Sequence, residues 1–452
     1  MSESRRDLQP KPLDIDAKEW TKVDPNVQAL DYVEKELPSS HVLFKMRHTT
    51  PLLLFLTYFD ESLLFNMWNT GLSHEIPDWT YKNATRTINS GIFDLKLLYR
   101  FYAIKIYIQG MHNVPTAAKL GSGRNLRDTV NDARAFFNSE FPSSESDALP
   151  GCDILEHLLA HFLICGTHVD HICANFRSIV RELGEYVIGD EKLFYFTGNS
   201  GNIRLVITKP AHIGLWFYEL VAAIDNYKSY MLDVKIASVA NVSCGHEYMV
   251  NIVKRWTDII HSFSPKKLPL IAFDTYYWSK AAREWLIKER FRYIAAVGGG
   301  RVEPLKAKAE RIVKRPGDWV GLWNYNIQEL YVLYWSPNES VGKKQVMTSV
   351  YQLKQGYKQH PRLIPAIDLY SILYSGCDHF NRDLHDRTWP FKHGGKNKPG
   401  DLGAEDNFVF SCALQNIFNV ERELSGKVND PFDFQNECIN LARSIYEYSN
   451  TL

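Results

Sequence analysis

LPLIAFDTYYWSKAAREWLIKERFRYIAAV, residues 268–297, reads as a strand, a helix and a second strand. LPLIAFD is a compact apolar run that closes on an acid, SKAAREWLIKER has helical character, and RYIAAV returns to strand-forming residues. A β-helix-β unit belongs to an α/β layer, and it places Asp274 at the carboxyl end of a buried strand, where open α/β sheets put their ligands.

The same character extends upstream to about Glu185. EYVIGDEKLFYF, NIRLVIT, GLWFYELVAAI and SYMLDVKIASV read as strands joined by short polar turns, and EYMVNIVKRWTDIIHSF reads as the helix leading into LPLIAFD. Before them, residues 42–181 place apolar residues at three- and four-residue intervals in LLLFLTYFDESLLFNMW, IFDLKLLYRFYAIKIYI and CDILEHLLAHFLI, which predicts a helical region. Residues 1–41 are charged, proline-containing and aperiodic, and predict a mostly disordered tail. After Val297, residues 298–360 carry DWVGLWNY, ELYVLYW and QVMTSVYQL, an inserted β-rich module, and residues 361–452 read as helices. The expected fold class is therefore α/β, with a core divided between 182–297 and 361–452, interrupted by the β-rich insertion and flanked by helices.

With 452 residues, 45% of them hydrophobic and 13% aromatic, the chain can bury a sizeable core spread over two or three folding units. Apolar runs such as Leu52 to Phe59 fall short of the roughly 18 to 20 residues that cross a bilayer, so no membrane association is expected. Seven cysteines, an odd and scattered set without a CxxC pair, suit reduced thiols in an intracellular compartment. A net charge of zero argues against indiscriminate coating of nucleic acid, which phosphate neutralisation drives.

Three distant aspartates carry the chemistry. Asp190 in GEYVIGDEKLFYF and Asp274 close β-forming runs, and Asp378 in YSILYSGCDHF is expected at the end of the helix that begins in PRLIPAIDLYSILYS. Three carboxylates at one point supply the hard oxygen ligands for a pair of Mg²⁺ ions, the requirement of two-metal phosphoryl transfer. Spacing by itself is a weak signal, since an acid at a strand end is commonly a solvated or capping group. Glu191 points to the opposite face of its strand from Asp190 and takes no metal role.

The order of these blocks resembles the piggyBac-type DDE transposases. IGDEKLFYFTG followed by ITKPAHIG is similar to that family's first acidic block, FDTYYWS to its second, and AIDLYSILYSGCD keeps Tyr370, Gly376 and Asp378 of its third, while TTPLLLFLTYFDESL resembles the helix that opens these enzymes. The resemblance spans roughly residues 45 to 420. It implies an RNase H-like catalytic core, a helical DNA-binding and dimerisation region over 42–181, and Asp190, Asp274 and Asp378 as a catalytic triad holding two Mg²⁺ or Mn²⁺ ions. It further implies a nuclear homodimer that cuts and joins double-stranded DNA at transposon ends and target.

Some of the family's basic and polar positions differ here: Asn199 and Trp216 stand where Arg and Lys are usual, Leu369 and Ser371 replace Asp and Asn, and Asn381 replaces a later acid. A catalytically silent, transposase-derived DNA-binding protein is therefore the second expectation, and a metal-dependent RNase H-like nuclease the third. Lys306, Lys308, Arg311, Lys314 and Arg315, with Arg387 and Lys392, are the candidates for DNA contact, against the ordinary reading of such stretches as solvated faces. In CDILEHLLAHFLICGTHVDHIC, the residues His157, His161, Cys165 and His168 recur at helical spacing. Four positions on one helix face span about 16 Å and cannot share one zinc ion, so a partly buried helix face is the expectation there. The aromatics of the insertion, Trp319, Trp323, Tyr325, Tyr331, Tyr334 and Trp335, are divided between core packing and base stacking.

Overall fold

The computed structural model describes residues 15–22, 42–73, 93–111, 126–142, 149, 151–195, 202–205, 213–224, 228–237, 246–265, 268–298, 300, 302–338, 341–349, 365–386, 400–427 and 432–452. Among them a ten-stranded mixed sheet runs through the molecule, beside a two-stranded sheet of β2 (Leu43–Phe44) and β3 (Val180–Glu182). The centre of the large sheet is β4 (Tyr186–Tyr195), which pairs antiparallel with β6 (Ile213–Ala223) on one side and parallel with β8 (Leu270–Phe273) on the other. β9 (Arg292–Ala296) continues the parallel side, while β5 (Arg204–Leu205) and β7 (Ser229–Ile236) both pair with the far side of β6.

The inserted strands are not a separate sheet. β10 (Trp319–Asn324), β11 (Glu329–Trp335) and β12 (Lys343–Thr348) form an antiparallel meander, and β12 pairs with β9 from Thr348↔Ile294 to Val346↔Ala296. The N-terminal stretch, expected to be a mostly disordered tail, supplies a further strand: β1 (Trp20–Lys22) pairs with β10. Trp20 is buried there, and Lys308 donates to the carbonyls of Ala17 and Trp20 at 2.9 and 2.6 Å, which ties the segment down.

Before the sheet come α1 (Pro51–Tyr58), α2 (Glu61–Ser73), α3 (Leu95–Met111), α4 (Leu126–Glu140), α5 (Cys152–His161) and α6 (Thr167–Ser178). Their starts follow local chemistry: Thr50 Oγ1 accepts from Leu53 N–H ahead of Pro51, and Asp60 Oδ1 accepts from Leu63 N–H. The histidine-bearing stretch, expected as one helical face, is broken into α5 and α6, with Gly166 at φ 57° before α6.

Downstream lie α7 (His246–Ser262), α8 (Lys280–Lys288), α9 (Glu303–Glu310), α10 (Pro365–Asp386), α11 (Gly400–Ser425) and α12 (Phe434–Ser449). α7 covers one face of the sheet, with Trp256 against Gly189 and Tyr248 against Tyr218. α10 and α11 cover the other, where Phe408 stacks on Phe217 at 4.1 Å. Side-chain alternation along β4 and β6 sorts the residues between them: Asp190, Lys192 and Glu219 face α10 and α11, whereas Gly189 and Tyr218 face α7.

One continuous hydrophobic core joins the N-terminal helices to the sheet. α3 is buried nearly all round, so its polar residues need partners inside. Arg100 donates to Asn450 at 2.9 Å, Lys105 to Asp406 at 2.7 Å and Gln109 to Ser411 at 3.0 Å. At the sheet margin, Asp233 of β7 receives two hydrogen bonds from Arg255 of α7, at 2.7 and 2.8 Å. The outer edge of β7 is occupied by amides of α11: Asn416 both accepts from Met231 N–H and donates to Met231 C=O, and Asn419 donates to Ser229 C=O.

Glu329 of β11 anchors the meander to the core. It is fully buried, accepts from the Tyr293 hydroxyl, and lies 3.5 Å from Arg283 of α8. Burial outweighs these partners and raises its pKa above the ordinary 4.5. A carboxyl raised in the folded state contributes stability that is complete below its ordinary value and is lost as pH climbs through the raised one. Glu329→Gln is therefore expected to flatten the fall in melting temperature from pH 4.5 upward. Parallel Tm-against-pH curves for the two proteins would refute this.

Candidate active site

The last register pair between β4 and β8 is Gly189↔Phe273, so Asp190 and Asp274 are the next residues on two adjacent parallel strands. Asp190 is buried on β4, which runs on to Tyr195. Asp274 is half-buried where the chain leaves β8; its carboxylate accepts from Thr275 N–H at 2.6 Å and its carbonyl from Tyr277 N–H at 3.1 Å, which fixes the turn. Asp274 stands at the carboxyl end of its strand as the sequence predicts, whereas Asp190, expected to close a β-forming run, lies in the middle of one.

Asp378 does not end its helix. α10 continues to Asp386 because Cys377, Phe380 and Leu384 extend the buried stripe begun by Leu373 and Tyr374, and Gly376 lies buried within it. Asp378 is exposed on the flank of that stripe. Side chains of α10 nevertheless reach Asp190 directly: Cys377 Sγ lies 3.5 Å from Asp190 Oδ2, and the Tyr374 hydroxyl donates to Gly189 C=O at 3.0 Å. Lys192 donates to the carbonyl of Asn381 and pins the next turn of the helix.

The charges of all three acids bear on Tyr370. Its ring stacks on Tyr374 at 4.5 Å, and its phenol is pushed up first by burial and then by the charges of Asp274, Asp190 and Asp378. Burial also pushes up Tyr374 and Cys377, each further raised by Asp190, so the Cys377 sulfur carries its proton beside that carboxylate. Glu191 takes the opposite face, where its charge bears on Tyr277.

The donors are all carboxylate oxygens, the ligand chemistry of a hard divalent ion such as Mg²⁺ or Mn²⁺. Among the described residues, no three His, Cys, Asp or Glu side chains stand close enough together to hold a metal ion. The adjacent pair Asp190 and Asp274 suits such an ion, and Asp378 is the carboxylate that stands outside.

Superposition on a cryo-EM structure of the piggyBac transposase synaptic complex with hairpin DNA covers 91% of this chain and 83% of that one, with a TM-score of 0.65 and 14% sequence identity. The chain has a piggyBac-transposase-like fold. No family model matches the sequence, and no curated protein does. The piggyBac-like likeness thus lives in the arrangement of elements.

Within this piggyBac-like fold the basic candidates separate. Lys308 is turned inward onto the N-terminal strand and is a structural residue. Lys306 pairs with Glu303 at 3.7 Å, and Arg315 with Asp318 at 3.4 Å. Arg311, Lys314 and Arg315 are exposed, whereas Arg387 and Lys392 lie outside the described residues. Of the insertion's aromatics, Tyr331 and Trp323 are core residues and Tyr325 is exposed. His168 is buried beside Thr70, with Nε2 3.3 Å from its hydroxyl, and burial lowers its pKa. The side chains of His157 and His161 lie outside the described residues.

Sequence reading missed Tyr374, Cys377, Lys192 and Trp256. The α10 residues had a signal, since Tyr370, Tyr374, Cys377 and Asn381 fall at helical intervals on a face beside the third acid.

Proposed function

We propose that this protein is a piggyBac-like transposase that cleaves and joins double-stranded DNA by two-metal phosphoryl transfer. The observation that carries this reading is the placement of Asp190 and Asp274 as the next residues on the adjacent parallel strands β4 and β8, beside the helix that bears Asp378. The strand order β7-β6-β4-β8-β9, with β4, β8 and β9 parallel and β6 antiparallel to both β4 and β7, supports an RNase H-like core beneath it.

Asp190, Asp274 and Asp378 would hold two Mg²⁺ or Mn²⁺ ions, which supply Lewis-acid activation of the attacking oxygen and charge neutralisation at the phosphate. The chain's own part is alignment. β4 and β8 present two carboxylates side by side, the Thr275 N–H orients Asp274, and Asp378 joins by turning inward from its helix flank. Arg311, Lys314 and Arg315 are the exposed cations we assign to the DNA backbone, with Lys306 beside them; Arg387 and Lys392 remain part of the proposal. The hairpin DNA in the synaptic complex of the neighbouring fold supports DNA as the partner, and a nuclear homodimer is part of the proposal.

The second reading, DNA binding without cleavage, is favoured by the exposed position of Asp378 and by the lack of a three-acid cluster among the described residues. Nicking of a supercoiled plasmid in Mg²⁺ separates the two. Wild type is expected to nick, and Asp274→Ala to lose roughly a hundredfold or more of that rate. Equal background in both proteins would sink the enzymatic reading, and salt-sensitive DNA binding without nicking would establish the second.

A further inference from the structure

We propose that Tyr374 and Cys377 are positioning residues that hold the Asp190 carboxylate in place for metal binding. This rests on the reading of Asp190 as a metal ligand. At Gly189 the ring of Trp256 packs so closely on the α7 face that no side chain fits. On the other face, the Tyr374 hydroxyl takes the Gly189 carbonyl at 3.0 Å, and the Cys377 thiol lies 3.5 Å from Asp190 Oδ2. β4 is therefore clamped at the residue that matters, from both sides.

Cys377 and Tyr374 are buried, so both act through Asp190 and neither meets DNA. Cys377 is the residue just before Asp378, and Tyr374 precedes Asp378 by one helical turn, so a single rigid helix links the buried acid to the exposed one. Asn381 completes the arrangement: its amide lies 3.6 Å from the Cys377 sulfur while its carbonyl accepts from Lys192 of β4. Groups that orient a ligand from behind commonly change metal affinity by 10- to 100-fold when removed.

The test uses Mn²⁺ as probe, with unbound ion measured by electron paramagnetic resonance, together with hydrogen exchange of the metal-free protein. Tyr374→Phe and Cys377→Ala are each expected to weaken Mn²⁺ binding roughly tenfold and to speed exchange over residues 186–195. Residues 434–449 serve as the unchanged reference. Cys377→Ser, which restores a donor, should stay near wild type, and Asp190→Asn should lose the ion. Wild-type affinity in both Tyr374→Phe and Cys377→Ala overturns the proposal, even if exchange is faster, because the two residues would then be merely structural. If wild type takes up no Mn²⁺, the metal-binding reading falls by itself, and unchanged exchange over 186–195 in both variants overturns the positioning role as well.

Discussion

Asp406→Ala is expected to destabilise the protein by about 3–5 kcal/mol, the usual result of removing one partner from a buried ion pair. Asp406 and Lys105 are both almost fully buried, with 2.7 Å between Nζ and Oδ2. The other carboxylate oxygen accepts from Ile164 N–H at 2.9 Å, so the substitution strands a backbone donor as well as an ammonium. The rings around Lys105 offer partial compensation, since Nζ sits 4.3 Å from the Phe410 centroid, but an aromatic face does not replace a carboxylate. Urea denaturation should show a large fall in midpoint for Asp406→Ala. The double variant Lys105→Met with Asp406→Leu should recover most of it, because a well-packed apolar pair avoids the desolvation of both charges. A double variant as unstable as the single one would mean that the pair is needed for more than charge balance.

Gly189→Ala is expected to cost about 3 kcal/mol, the upper end of the overpacking range. A Cβ at Gly189 would lie 2.2 to 2.6 Å from three ring carbons of Trp256, and that ring is itself buried and cannot swing out. The strand would have to retreat toward α10, displacing Asp190 and the bond from Tyr374 to the Gly189 carbonyl. Two losses should therefore coincide, one in denaturation midpoint and one in Mg²⁺-dependent nicking. Trp256→Leu in the Gly189→Ala background makes room on the α7 face and should return part of both. Stability regained without activity would show that Asp190 is displaced for some other reason.

The core of the site was readable because its signals are local. An apolar run ending in an acid, followed by a helix and another apolar run, places Asp274 at a strand's carboxyl end, and the alternation in β4 sends Asp190 and Glu191 to opposite faces. Asp378 lies within its helix and not at the end that the sequence predicts, because Gly376 is buried mid-helix and the stripe resumes at Phe380 and Leu384. Trp20 lay hidden in a polar stretch for a different reason. A three-residue strand has almost no local pattern, and its partners, Trp323 and its neighbours on β10 with Lys308, lie about three hundred residues away. Along the basic run 303–317 the sequence did not separate Lys308 from its neighbours: Val302, Leu305 and Ala309 mark a buried helix face, and Lys308 lies beside that face with its amine turned inward.

The amides of Asn416 and Asn419 have a consequence for assembly. Among the described residues β7 pairs with β6 alone, so its other side would ordinarily offer a ladder of donors and acceptors to any passing extended chain. Asn416 takes both backbone groups of Met231 and Asn419 takes the carbonyl of Ser229, two residues away along the same edge. Side chains of a helix thus counterfeit a neighbouring strand where the sheet stops at β7. Copies of this protein at high concentration can therefore crowd together without zippering through that margin into fibres.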